Sequence, residues 1–207
     1  MKRFLKSNNQ MTAQGVSFKQ GGFTLVEMMI TLVIAAIVLT QAVPSFLTTI
    51  KNGRLTTETN KLVADLNLAR SEAIKRSKNV VVCSSANPTS STATCAASST
   101  WTTGWLVFSD DDSSGDYDSS NDTLIHVGMA AEGDVTLYST DNDVTYTSEG
   151  LLSNTSTVAI AICDDRGVSS GSTTYGRQIQ IKTTGRPRLI TGSDASSMSC
   201  TTPTANL

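Results

Sequence analysis

The 207-residue chain has one histidine, His126, and no Cys-X-X-Cys pair. A zinc site built from sulfur and imidazole is short of donors. His126 stands in the apolar run LIHVG with no nucleophile partner evident in the sequence, so it reads as a structural or surface residue and enzymes are the least supported class. Residues 1–22 lack a long apolar run, and residues 23–47 lack charge except for one carboxylate, Glu27. Positive charge is scarce beyond the first 22 positions. Lys2, Arg3, Lys6 and Lys19 take four of the sixteen basic residues and none of the eighteen acidic ones, which leaves twelve against eighteen, a net side-chain charge of −6. Such a body is not a generally basic nucleic-acid binder.

What is present is a span with a misplaced charge. As a helix, residues 23–47 would measure roughly 37 Å at about 1.5 Å per residue, enough for a hydrocarbon core of about 30 Å. A carboxylate at depth costs on the order of a few kcal/mol and needs a partner. A secretory signal runs basic, apolar, then cleavage site. Here the small-residue signal Gly21-Gly22 precedes the apolar run, so a cut after Gly22 would leave the span on the mature chain. It would also create an amine at Phe23, four residues from Glu27, and in an assembly the Phe23 amine of one subunit could pair with Glu27 of the next.

The stretch GGFTLVE resembles the class III leader junction of type IV pilins and type II secretion pseudopilins. The resemblance implies cleavage after Gly22 by a prepilin peptidase, N-methylation of Phe23, and a role for Glu27 in inserting the subunit among other pilin subunits. It also implies anchoring in the inner membrane by a single pass, with the head in the periplasm and at the cell surface once assembled. The leader is long for that family, and Met11 is an alternative start. The expected organisation is a leader at 1–22, a membrane or filament-core helix at 23–53, and one head domain at 54–207.

The head is rich in Ser, Thr, Asn and Gly and long enough for a real core. Cys83, Cys95, Cys163 and Cys200 all follow the span, where export would expose them to oxidation. Of three connectivities, Cys83–Cys95 and Cys163–Cys200 are favoured because each joins neighbours across a local loop. The chain-entropy gain is about 3 kcal/mol for the shorter loop and about 4 kcal/mol for the longer.

Leu55, Leu62, Leu66, Ala69 and Ala73 form one helical stripe, with Glu72 and Arg76 as an i,i+4 pair on the solvated side. Pro44 predicts a kink and Asn52-Gly53 a second weak point. From Val80 the pattern turns to short β runs at 80–83, 104–108, 123–127, 134–138, 144–147, 157–163, 177–182 and 186–190. A long helix followed by about eight strands reads as α+β, the helix packed on antiparallel sheets. Trp101 and Trp105 read as core rather than as a binding platform.

Two charged segments stand out. In DDDSSGDYDSSND, residues 110–122, Asp110, Asp112, Ser114, Gly115, Asp116 and Asp118 fall on calcium-loop positions, but Asn121 stands where a bidentate Glu belongs and no helices flank the loop. The expectation is a solvated acidic loop with no cofactor, calcium being the one candidate. In YGRQIQIKTTGRPRLITG, Arg177, Lys182, Arg186 and Arg188 occur with no acid between them. Thr183-Thr184-Gly185 reads as a hairpin turn and Pro187 marks an edge strand. Arg186 and Arg188 would share one face, roughly 6.6 Å apart at about 3.3 Å per residue, near the spacing of successive phosphates on an extended DNA strand. Lys182, out of phase with Ile179 and Ile181, is a third candidate. Charge and proline also serve simply to protect an exposed edge.

The order of NGR, ARSEAIKR, a first cysteine, WTTGWLVFSD, an acidic loop, a late cysteine and GRPR resembles the GspH/FimT branch of the pilin superfamily. GRPR is similar to the GRxR signature of FimT-type minor pilins, whose C-terminal arginines bind DNA during uptake. The resemblance implies a turn at Gly185, sequence-independent phosphate contacts from Arg186 and Arg188, and a role in natural transformation. A filament-initiating subunit of the FimU kind and a GspH pseudopilin of a type II secretion system are the alternatives.

Overall fold

A computed structural model of the chain describes residues 21–154, 156–170, 173–191 and 199–201. Lys2, Arg3, Lys6, Lys19 and the alternative start Met11 lie outside the described residues.

Helix α1 runs Leu25–Arg76. Thr24 caps its N-terminus, its Oγ1 accepting from the Glu27 amide at 3.2 Å while Glu27 Oε2 receives a long 3.5 Å return contact from the Thr24 amide, the reciprocal arrangement of a capping box. The chain stays helical through Pro44 and through Asn52-Gly53. It closes with Ser77 at φ 53° and the Lys78 amide donating to Ala73 O at 3.3 Å, a Schellman-type end in which a serine occupies the place glycine usually takes.

By contacts the chain divides after Ser45. The first unit carries the apolar part of α1, exposed along its length; this helix is the one element among the described residues long and apolar enough to cross a membrane. In the second unit, Lys51 pairs with Asp165, and Leu55, Leu62, Leu66, Ala69 and Ala73 are fully buried. Three to four residues between successive members keep these side chains on one face of the helix.

That face packs into a core with two four-stranded antiparallel sheets. The first has the order β3-β2-β1-β5, with β1 at Val80–Ser84, β2 at Trp105–Ser109, β3 at Thr123–Gly128 and β5 at Asp143–Tyr146. The second has the order β10-β9-β6-β4, with β4 at Thr136–Ser139, β6 at Val158–Cys163, β9 at Arg177–Ile181 and β10 at Pro187–Ile190. Two-residue strands β7, Ser169–Ser170, and β8, Thr173–Thr174, form a small extra ladder.

β1 and β6 are buried along their whole length, which explains why Val80 to Cys83 and the whole of β6 run apolar rather than alternating. Val80 and Val82 join the main core, while Val81 and Cys83 meet Leu106, Phe108 and Ala93 on the other side. Behind the second sheet, Ala161 and Cys163 pack with Val168, Ile190 and Cys200. Disulfides join Cys83 to Cys95 and Cys163 to Cys200, with Cα atoms 5.6 and 5.8 Å apart.

Both tryptophans are buried. Trp105 Nε1 donates to Asp65 Oδ2 at 2.8 Å. Asp65 Oδ1 lies 3.4 Å from His126 Nε2, so the lone histidine of strand β3 is tied to a helix carboxylate.

Candidate functional site

At the amino-terminal junction, Gly21 and Gly22 have open space where a side chain would stand, and Phe23 is exposed. Glu27 is exposed too, its contacts being the capping pair with Thr24. A carboxylate at the N-terminus of a helix also gains from the helix dipole.

The second site is the hairpin of β9 and β10. Antiparallel pairing sets Pro187 opposite Ile181, Arg188 opposite Gln180 and Leu189 opposite Ile179. One step further along the same register, Arg186 faces Lys182. Ile179 and Ile181 enter the core, so the alternation of a strand sends Gln180 and Lys182 to the opposite face. β10 is the edge of its sheet, where proline's missing amide breaks no central ladder.

Lys182, Arg186 and Arg188 are exposed, and together with Gln180, Thr184 and Pro187 they line a groove of about 400 Å³. Among the described residues, Lys51, Lys61, Lys75 and Lys78 each pair with a carboxylate, and so do Arg76 and Arg166. None of the three hairpin cations does. In a protein with more acid than base, a cluster left unpaired displays positive potential to solvent.

The turn is held in place. The Gly185 amide donates to Lys182 O at 2.8 Å, and the Leu152 amide donates to Thr183 O at 3.1 Å. Gly185 is buried with φ 70°, and a Cβ there would stand 2.2 Å from Gly150 O. Only glycine meets both the left-handed backbone and that approach. Gly150 O also accepts from Arg70 Nε of α1 at 2.8 Å, which ties the hairpin through one loop to the helix.

The acidic loop lies between antiparallel strands β2 and β3. Asp110, Asp112 and Asp122 each bring a carboxylate oxygen within 4.8 Å of the others; Asp116 and Asp118 fall outside that group. The loop spends these oxygens on itself. Asp110 accepts from the Ser114 and Gly115 amides, Asp112 from the Ser114 amide, and Asp122 from the Asp111 and Asp118 amides. Asp111 pairs with Lys78 at 2.8 Å.

Two site features escape a sequence reading. Gln180 and Thr184 line the basic groove; the alternation Gln178, Gln180, Lys182 against Ile179 and Ile181 was the available signal for Gln180. Asp65 lies one step from the apolar stripe and meets a tryptophan 40 positions away, a pairing no local pattern announces.

Residues 58–185 match the family described as type II transport protein GspH, and residues 17–40 match the prokaryotic N-terminal methylation motif. No curated protein matches. Two crystal forms of the type IV minor pilin FimU of Pseudomonas aeruginosa (strain PAO1) are similar in structure. One is 18% identical with a TM-score of 0.49, covering 69% of this chain and 95% of FimU. The other is 17% identical with a TM-score of 0.42, covering 67% and 98%. The GspH match takes in more than half of the sequence and, with the methylation motif, indicates a structural subunit: the chain belongs to the GspH family and is a pilin-like protein of the GspH/FimT type, a minor pilin or pseudopilin of a type IV or type II system.

Proposed function

We propose that this chain is a minor pilin of a type IV pilus that binds DNA during uptake in natural transformation. Cleavage after Gly22 and methylation of Phe23 prepare the subunit. The apolar part of α1 anchors it in the inner membrane with the head in the periplasm, and Glu27, held at the helix N-terminus by Thr24, meets the Phe23 amine of a neighbouring pilin on assembly. Lys182, Arg186 and Arg188 contact phosphates, and Gly185 sets the turn that presents them. The observation that carries the reading is the groove itself: three cations on one hairpin, without carboxylate partners among the described residues, on an acidic body. Phosphate contacts of this kind position a duplex without reading its sequence.

A pseudopilin acting in type II secretion is the second reading, favoured by the description of the matching family. The two separate in cells. With Arg186→Gln and Arg188→Gln in the chromosomal copy, the expected result is loss of transformation with filaments and protein secretion intact. Intact transformation together with impaired secretion would reject DNA uptake in favour of the pseudopilin.

A further inference from the structure

One wall of the basic groove is neutral. Gln180 lies directly across the β9–β10 ladder from Arg188 and lines the same groove as the three cations. It is only 4% exposed, and its Nε2 has no hydrogen-bond partner among the described residues. A buried amide without a partner is disfavoured, since its desolvation is not compensated. β9 is an interior strand, flanked by β6 and β10, where an aliphatic side chain would satisfy packing at no such cost. Nε2 is closed to solvent where it stands; turned about its side-chain torsions into the groove that Gln180 lines, it would meet an acceptor on a ligand there.

Three cations select an anion, and an amide N–H beside them selects an acceptor. The non-bridging oxygens of a phosphate meet both demands. We propose that Gln180 is a neutral seat for one phosphate group: its amide donates to a phosphate oxygen while Arg188, opposite it on the ladder, places its guanidinium on the same group. Arg186 and Lys182, one step along the hairpin, take the adjoining phosphate. This deepens the DNA-binding reading and rests on it for the polymer, but the chemistry it requires is that of a phosphate. A neutral hydrogen bond releases no counterion, so its share of the affinity is insensitive to salt, whereas the arginines' share is not.

The test uses the processed full-length chain in detergent micelles. A fluorescent duplex is titrated at two salt concentrations against wild type, Gln180→Met, and Arg186→Gln with Arg188→Gln. Gln180→Met is expected to weaken binding roughly three- to tenfold at both salts with an unchanged salt slope, while the arginine pair flattens the slope. In parallel, the side-chain amide resonances of Gln180 in the wild-type chain are followed as inorganic pyrophosphate is added, and they are expected to shift. This arm needs no variant to fold, and it separates the two claims: if wild type bound no duplex yet pyrophosphate moved the Gln180 amide, the DNA reading would fail and the phosphate seat would stand. Unmoved resonances would overturn the seat. So, with wild type binding duplex, would Gln180→Met binding it as tightly or altering the salt slope, and so would a shift produced by a polyglutamate peptide and not by pyrophosphate.

Discussion

The acidic loop at 110–122 and the basic hairpin at 182–188 are both dense in charge, and they use it in opposite ways. Asp110, Asp112, Asp118 and Asp122 turn their oxygens onto amides of their own loop, and Asp111 takes Lys78. Lys182, Arg186 and Arg188 take no carboxylate among the described residues, while the turn between them is fixed by backbone bonds and by a glycine packed against Gly150. The first pattern uses charge to build a loop. The second builds a rigid support and leaves the charge for something else. A cluster of like charges points to a partner when the local backbone does not consume it.

The contrast can be broken most sharply by exchanging which property each region loses. Arg186→Gln with Arg188→Gln should reduce the salt slope of DNA binding by about 1.8, from two lost phosphate contacts at about 0.9 each. Thermal unfolding should hardly move, because exposed side chains of this kind contribute within about 0.5 kcal/mol. Gly185→Ala should damage both properties. The left-handed backbone and the approach to Gly150 O predict a loss of roughly 1–3 kcal/mol in denaturant unfolding, together with weaker DNA binding as the arginines lose their register. Asp110→Ala should do the reverse of the arginine pair: the Ser114 and Gly115 amides lose their acceptor, costing about 1–2 kcal/mol, with DNA binding unchanged.

A subtler effect lies in the pH dependence of the acidic loop. Burial holds the Asp110 carboxyl above its ordinary value of 3.8, against the pull of the Gly115 amide, and nearby Asp122 adds to the rise. The folded chain therefore keeps the Asp110 proton more readily than the unfolded chain. Its stabilising share is full below the unfolded value and is lost as pH rises through the folded one. Asp110→Asn, which retains an acceptor, should gain on wild type in denaturant unfolding as pH is raised from about 3 to about 7. Asp118 is the opposite case: the Ser120 amide and hydroxyl hold its carboxyl below the ordinary range, so its contribution is present at neutral pH and fades as pH falls through the folded value. Asp118→Asn should lose ground to wild type at neutral pH and draw level in acid.

Much of this architecture was readable in the chain because the signals are local. Leu55, Leu62, Leu66, Ala69 and Ala73 obey a helical period, and all five are buried. Each of the eight expected β runs overlaps an observed strand, its ends displaced by no more than two residues. β7 and β8 were not readable: Ser169–Ser170 and Thr173–Thr174 carry no apolar side chain, and their pairing depends on surrounding structure. Of the candidate site, Lys182, Arg186, Pro187 and Arg188 lie within one hairpin, so their clustering could be read from the sequence. That no carboxylate among the described residues reaches them could not, since this depends on where the acidic residues end up. Gln180 was hidden for a related reason, because a glutamine in a strand ordinarily faces water and its burial is a tertiary outcome.

The central claim is that the hairpin's charge is displayed for phosphate. It is tested most directly by the salt dependence of duplex DNA binding by the processed wild-type chain. Three contacts at about 0.9 each, with Lys182 counted as partial, predict a logarithmic slope of about −2 to −3, the same for duplexes of unrelated sequence. A slope near zero, or one unchanged by Arg186→Gln with Arg188→Gln, would contradict the account and leave the arginines as guards of an exposed sheet edge.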